Sequence, residues 1–159
     1  MALVREAKPD EWELLRDVRL AALREAPDAF ASTYDREEPY PEERWRGWLT
    51  HESVMFFPYV AGSAVPAGLA GVLVKRGAAQ LVAMWVRPDA RGHGVAGALV
   101  SAAADWAKAR GHDAMYLGVA ESNEQARRLY ERCGFTATGE RQPLPSNPAQ
   151  PEIRMLRAL

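Results

Sequence analysis

The stretch Gly92-His93-Gly94-Val95-Ala96-Gly97, preceded by Arg91 and running into the alanine-rich Ala98 to Ala109, has the residue types and spacing of an anion site. The first turn of a helix leaves backbone N–H groups without intrahelical partners, and the aligned peptide dipoles add partial positive charge there. Glycines lack a Cβ, so a phosphate can approach those donors closely. The same letters satisfy G-x-G-x-x-G, the dinucleotide fingerprint. That reading wants its first glycine almost directly after the first strand of a βαβ unit, with an acid ~20 positions on to bind a ribose. Here Arg87-Pro88-Asp89-Ala90-Arg91 intervenes, several strand-like runs come first, and Glu121 is the only acid near the right place. No Lys-Ser or Lys-Thr follows the glycines, which excludes a nucleotide-triphosphate P-loop.

A second reading joins Arg91-x-x-Gly94-x-Ala96, after a strand ending Val86-Arg87-Pro88, to a block further on. That block runs from Leu117 through Asn123-x-x-Ala126-x-x-Leu129-Tyr130 to Gly134-Phe135. Together the two blocks resemble the GNAT family of N-acetyltransferases. The resemblance in motif covers roughly the second half of the chain; the first half fits in its order of elements. It implies an α/β fold with a mixed, mostly antiparallel central sheet flanked by helices, and acetyl-CoA as the cofactor. Backbone amides of Gly92, His93, Gly94, Val95 and Ala96 would cradle the pyrophosphate, with Arg91 adding a charge-assisted contact. The pantetheine arm would lie along the strand ending in Trp85 and Val86, whose N–H groups would also meet the carbonyl oxyanion. Asn123 would contact the cofactor, a role compatible with its being a plain helix N-cap.

The resemblance also puts the Tyr130 hydroxyl near the thioester sulphur. A phenol of reference pKa ~10 keeps its proton at neutral pH and can donate it to a thiolate whose conjugate acid lies at ~8.5, which makes Tyr130 the general acid. The base is less defined. The central strand offers Gln80, Ala83 and Met84 and no carboxylate; Glu121 is the candidate, beside Asp35, Glu38 and His51. Phe30 and Tyr34, an unusual aromatic load for a connection, would either wall the acceptor site or close over the core. Arg141, with Glu140, would select the acceptor from a proline-stiffened loop or stand in a solvated turn. The acceptor is an amine, either a small molecule or a protein N-terminus, and the resemblance is compatible with a homodimer. The missing strand carboxylate keeps open a coenzyme A-binding module without turnover; the dinucleotide reading remains as an oxidoreductase.

Elements that would position these residues are legible in order. Leu3 to Ala7 reads as a strand. Asp10 looks like an N-cap, paired with Glu13, of a helix from Glu11 to Arg24, and Pro41 starts a second helix to Leu49. Runs 53–61, 67–74 and 80–86 form an antiparallel meander, with Pro58 suggesting an edge strand or a bulge. After the glycine helix come strand 114–119, helix 123–132, strand 135–140, a proline-rich loop 142–151 and a last strand 153–157. At 159 residues one domain, residues 1–159, is expected. The formal charge of −1 lacks the basic excess that would attract a nucleic acid or an anionic membrane. A single cysteine, Cys133, excludes an internal disulfide, and no signal or spanning segment is evident, so the chain reads as cytoplasmic. His51, His93 and His112 lack ligand-spaced partners, and no metal site is expected.

Overall fold

The structure, a computed structural model, describes residues 2–159. Its elements in chain order are β1 (Leu3–Glu6), α1 (Trp12–Glu25), α2 (Tyr34–Glu37), α3 (Glu42–Arg46), β2 (Ser53–Tyr59), β3 (Gly68–Lys75) and β4 (Ala78–Val86). There follow α4 (Val95–Ala109), β5 (Ala114–Ala120), α5 (Glu124–Arg132), β6 (Thr136–Leu144) and β7 (Asn147–Ala158). All seven strands share one sheet in the order β1-β2-β3-β4-β5-β7-β6. Every adjacent pair is antiparallel except β4 and β5, whose parallel setting requires the crossover that α4 provides. The mixed, mostly antiparallel sheet is the architecture expected.

Alternating strand residues point to opposite faces, so each face can carry its own core. Val54, Phe56, Val72, Leu81, Met115 and Leu117 pack with Leu99, Val100, Ala103 and Ala107 of α4. Met55, Phe57, Leu69 and Trp85 pack on the other side with Leu15 and Leu23 of α1 and Trp45 of α3. β4 contributes to both, as its unbroken apolar run suggests.

Two irregularities of β4 decide what the sheet can hold. Against β3, Leu69 pairs with Trp85 and Gly71 with Val82, so β4 carries one extra residue between those pairs. That bulge places Ala83 at φ +59°, a left-handed conformation unusual for a residue with a Cβ. Against β5, only Ala79↔Met115 and Gln80↔Tyr116 are paired, after which the two strands part.

Local details differ from the sequence reading. α1 is not capped by an Asp10–Glu13 box: Glu11 occupies the cap position and its carboxylate accepts the Lys8 N–H at 2.8 Å and a two-pronged Arg5 guanidinium at 2.7 and 2.9 Å. The Arg5 contact, stronger than desolvation, holds the Glu11 carboxyl below its usual range. The aromatic segment after α1 is not all loop, because Thr33 accepts the Arg36 N–H and caps the short α2. Pro41 stands at the cap of α3 rather than inside it, and Gly47–Leu49 continue as a 3₁₀ turn. Pro58 lies on an interior strand, not an edge. The β2–β3 ladder ends at Phe56↔Ala70, so its missing N–H costs no rung there, while its carbonyl still accepts from Ala67 at 2.7 Å. The expected loop 142–151 is a hairpin: β6 and β7 stay paired through Pro143↔Pro151 to Leu144↔Asn147. Proline is tolerated at a sheet edge, and β6 is the edge strand.

Candidate active site

Where β4 and β5 part, a cleft of about 680 Å³ opens toward α4 and α5. Met84, Trp85 and Val86 form one wall, the glycine turn its end, and Leu129 and Tyr130 of α5 the other wall. The strand backbones there lack each other as ladder partners, so main-chain donors and acceptors remain for a bound molecule.

At the end of the cleft, Gly92 and Gly94 adopt φ +82° and +76°, values that favour glycine. Gly94 is the left-handed N-cap of α4, and the first N–H the helix satisfies is that of Ala98, on the Gly94 carbonyl at 3.1 Å. The N–H groups of Val95, Ala96 and Gly97 are therefore orphan donors beneath the positive end of a 15-residue helix. A Cβ built at Gly92, Gly94 or Gly97 would meet nothing within 4 Å, so the space over these amides is open. The cleft suits a long ligand with an anionic end, which is what a coenzyme A thioester is. The turn does open a β4–α4–β5 crossover, but β4 is the fourth strand of a mostly antiparallel sheet and parts from β5 after two pairs, which is not the doubly wound parallel sheet that the dinucleotide reading needs.

Arg91 lies at the cleft mouth with its guanidinium engaged. Its Nε donates to the Val86 carbonyl at 2.9 Å and its Nη2 to both Glu25 carboxylate oxygens at 3.0 and 3.1 Å. Glu25, which nothing in the sequence pattern singled out, also accepts from the Trp85 indole at 2.9 Å, so one carboxylate at the end of α1 ties together β4 and the glycine turn. Asn123 caps α5, its Oδ1 accepting the Ala126 N–H at 3.1 Å, and it lines the same cleft.

Tyr130 is 9% exposed, with its ring edge-on to Phe135 at 5.8 Å. Gly134, at φ +92°, ends the helix so that the Phe135 N–H closes on the Tyr130 carbonyl at 2.9 Å. The Tyr130 hydroxyl is not one of the buried side-chain atoms left without a hydrogen-bond partner, and Tyr130 lines the cleft. Burial first, and the neighbouring Cys133 second, push the phenol well above its ordinary value. It keeps its proton at any working pH. Burial also raises the Cys133 thiol, against the opposing Arg157 and Arg132, which keeps it a thiol rather than a nucleophile.

The structure thus brings Trp85, Val86, Arg91, Gly92, Gly94, Val95, Ala96, Asn123 and Tyr130 to one cleft. It does not bring the others there. His93, whose expected part is its backbone N–H between the two glycines, lines a separate recess beside Val60 and Arg87. Phe30 is buried in the α1-side core under the Arg19 guanidinium, 4.8 Å from its ring centre, although its neighbour Ala29 reaches the cleft. Tyr34 is half-buried and accepts from Arg24 at 2.6 Å. Glu121 is ion-paired with Arg141, which sits on strand β6 instead of a loop.

A sequence model of the Acetyltransferase (GNAT) family matches residues 19–135. An uncharacterized N-acetyltransferase from Methanocaldococcus jannaschii is 39% identical over 61 residues, a match that takes in 38% of this chain and only 27% of that protein. The fold is shared with a GNAT-family acetyltransferase from Streptococcus pneumoniae, at a TM-score of 0.81 and 19% identity over 100% of this chain and 99% of that one. It is shared also with a spermidine N-acetyltransferase from Vibrio cholerae solved with CoA and spermine, at a TM-score of 0.74 and 20% identity over 99% of this chain and 95% of that one.

Proposed function

The chain belongs to the acetyltransferase (GNAT) family, and on that premise we propose that it moves the acetyl group of acetyl-CoA to a primary amine by direct attack, with Tyr130 as general acid. The observation that supports this reading is the single cleft with orphan amides at one end and a buried, protonated phenol along its wall. Acetyl-CoA supplies an activated acyl group as a thioester. The chain's residues supply the rest: the Gly92 to Gly97 amides hold the anionic end, the free backbone of β4 aligns the arm, and Tyr130 gives the departing sulphur its proton. The acceptor is an amine of a small molecule or a protein N-terminus. The spermine bound in the V. cholerae relative makes polyamines the first small molecules to screen.

Thermal unfolding with acetyl-CoA, coenzyme A and NAD tests the first step. Ligand at 100 times its Kd adds ~2.7 kcal/mol to the folded state, a midpoint rise of roughly 5 to 10 °C for a domain this size. We expect the rise with acetyl-CoA and coenzyme A, and none with NAD. Thiol release on adding amines then separates an enzyme from a coenzyme A-binding module, which would shift in melting but release nothing.

A further inference from the structure

We propose that Glu152 of β7 receives the acceptor amine and takes up the proton its nitrogen loses on acylation; this rests on the acetyl transfer proposed above. On the face of the sheet away from α4, strands β4 to β7 form a concavity of about 790 Å³, with Gln80, Gly118, Gln142 and Glu152 in its lining. Among the described residues the buried charged side chains are Arg19, Glu37 and Glu152, the last only 9% exposed. Arg19 and Glu37 neutralise each other. Glu152 has no cation: its one side-chain partner is the neutral Gln142 amide, which donates to Oε1 at 2.6 Å.

The charged groups around it are otherwise occupied or set apart. Arg141 of β6 pairs with Glu121, and Arg154 of β7 pairs with Glu140 of β6 at 3.2 Å while lying over the Tyr116 ring. Lys75, the last residue of β3, and Arg76 of the turn that follows also line the concavity, both exposed and neither ion-paired with Glu152. A buried carboxylate without a cation is expensive. An ammonium that reaches Glu152 would remove that cost; the attraction lies at this carboxylate and not in the concavity as a whole, because Lys75, Arg76, Arg141 and Arg154 also line it.

Position supports the proton role. A Cβ at Gly118 would fall 2.7 Å from Glu152 Cδ and 2.8 Å from Oε1, so the carboxylate lies directly over the β5 backbone in space that only a glycine leaves. Gly118 is two residues past Tyr116, the last β5 residue paired with β4. The carboxylate therefore stands at the place where the strands separate, on the face opposite the Tyr130 cleft. β4 has no carboxylate of its own, and Glu121 is neutralised by Arg141.

In the step itself the bound ammonium first gives one proton to water; the neutral nitrogen then forms a bond to the acetyl carbonyl carbon and the carbon–sulphur bond breaks. One nitrogen proton passes to Glu152, and the sulphur takes the Tyr130 proton. Loss of the Glu152 proton to water and return of one to Tyr130 restore both groups.

The test uses n-butylamine and glycinamide as probes, with thiol release as readout. Glu152→Gln should lower kcat/KM by ~10²-fold or more and abolish the acidic limb of its pH profile, with acetyl-CoA affinity unchanged. Glu152→Asp should recover part of the rate. Gly118→Ala, which displaces the carboxylate without removing it, should also lose rate. A Glu152→Gln enzyme within twofold of the parent, its acidic limb intact, overturns the proposal. A second arm needs no turnover: the ¹³C carboxyl resonance that Glu152→Gln deletes should move when n-butylamine is added to coenzyme A-saturated protein, and a resonance that stays still overturns the proposal. A parent protein that acetylates nothing while that resonance moves would refute the transfer reaction and leave the amine site standing.

Discussion

Tyr130→Phe should lower kcat by ~10²-fold or more while leaving the affinity for coenzyme A little changed. The substitution deletes one oxygen from a ring held edge-on by Phe135, so the wall of the cleft keeps its shape. What is lost is the proton. The ring packing is kept, so the loss should appear in turnover rather than in stability. Its pH behaviour distinguishes this assignment from others. A group that must be protonated limits the rate as pH rises through its pKa, and burial places this phenol above its ordinary ~10. The parent enzyme should therefore show no alkaline limb from Tyr130 in the working range. Turnover unchanged in Tyr130→Phe would remove the general-acid role.

Glu37→Gln should be among the most damaging single changes to stability, at about 3 to 5 kcal/mol, or roughly 10 °C in the melting midpoint. Arg19 reaches from α1 to Glu37 on α2 through two bonds of 2.9 and 3.0 Å, with its guanidinium also over the rings of Phe30 and Trp48. Removing the carboxylate leaves a buried guanidinium with no counter-charge. Removing both charges together, as Arg19→Met with Glu37→Leu, should restore most of the loss, because the penalty lies in the uncompensated ion and not in the absence of the pair. Calorimetric melting of the single and double variants checks both statements; a double variant as unstable as Glu37→Gln would show that the pair itself is required.

The glycine-turn end of the candidate cleft was legible because its geometry is local. A turn that needs left-handed φ at Gly92 and Gly94, and a helix whose Asn123 caps it, leave marks within a few consecutive letters. The element order was legible from turn and periodicity signals, and the mixed sheet followed from the family resemblance that the two motif blocks carry. Groups assembled across the fold were not. Glu25 meets Trp85 and Arg91 from far along the chain, and Glu152 meets Gly118 only because β7 returns beside β5. Glu121 stood near the right place in sequence, yet its charge is already answered by Arg141 on another strand. The β6–β7 hairpin was hidden by its prolines, which signal a loop unless the strand is known to lie at an edge.

The parting of β4 from β5 also bears on how the molecule comes undone. With only Ala79↔Met115 and Gln80↔Tyr116 joining them, β1 to β4 and β5 to β7 are two hydrogen-bonded blocks, strapped by α4 across one face. Such a seam is where a native protein opens sub-globally. Amide exchange in the ligand-free protein should divide along it, with Met84 to Val86 and Val119 to Ala120 exchanging before the strand centres on either side. A molecule lying in the seam would bond to both blocks at once, so its arrival should be read as a gain in cooperativity, the two halves then losing protection together.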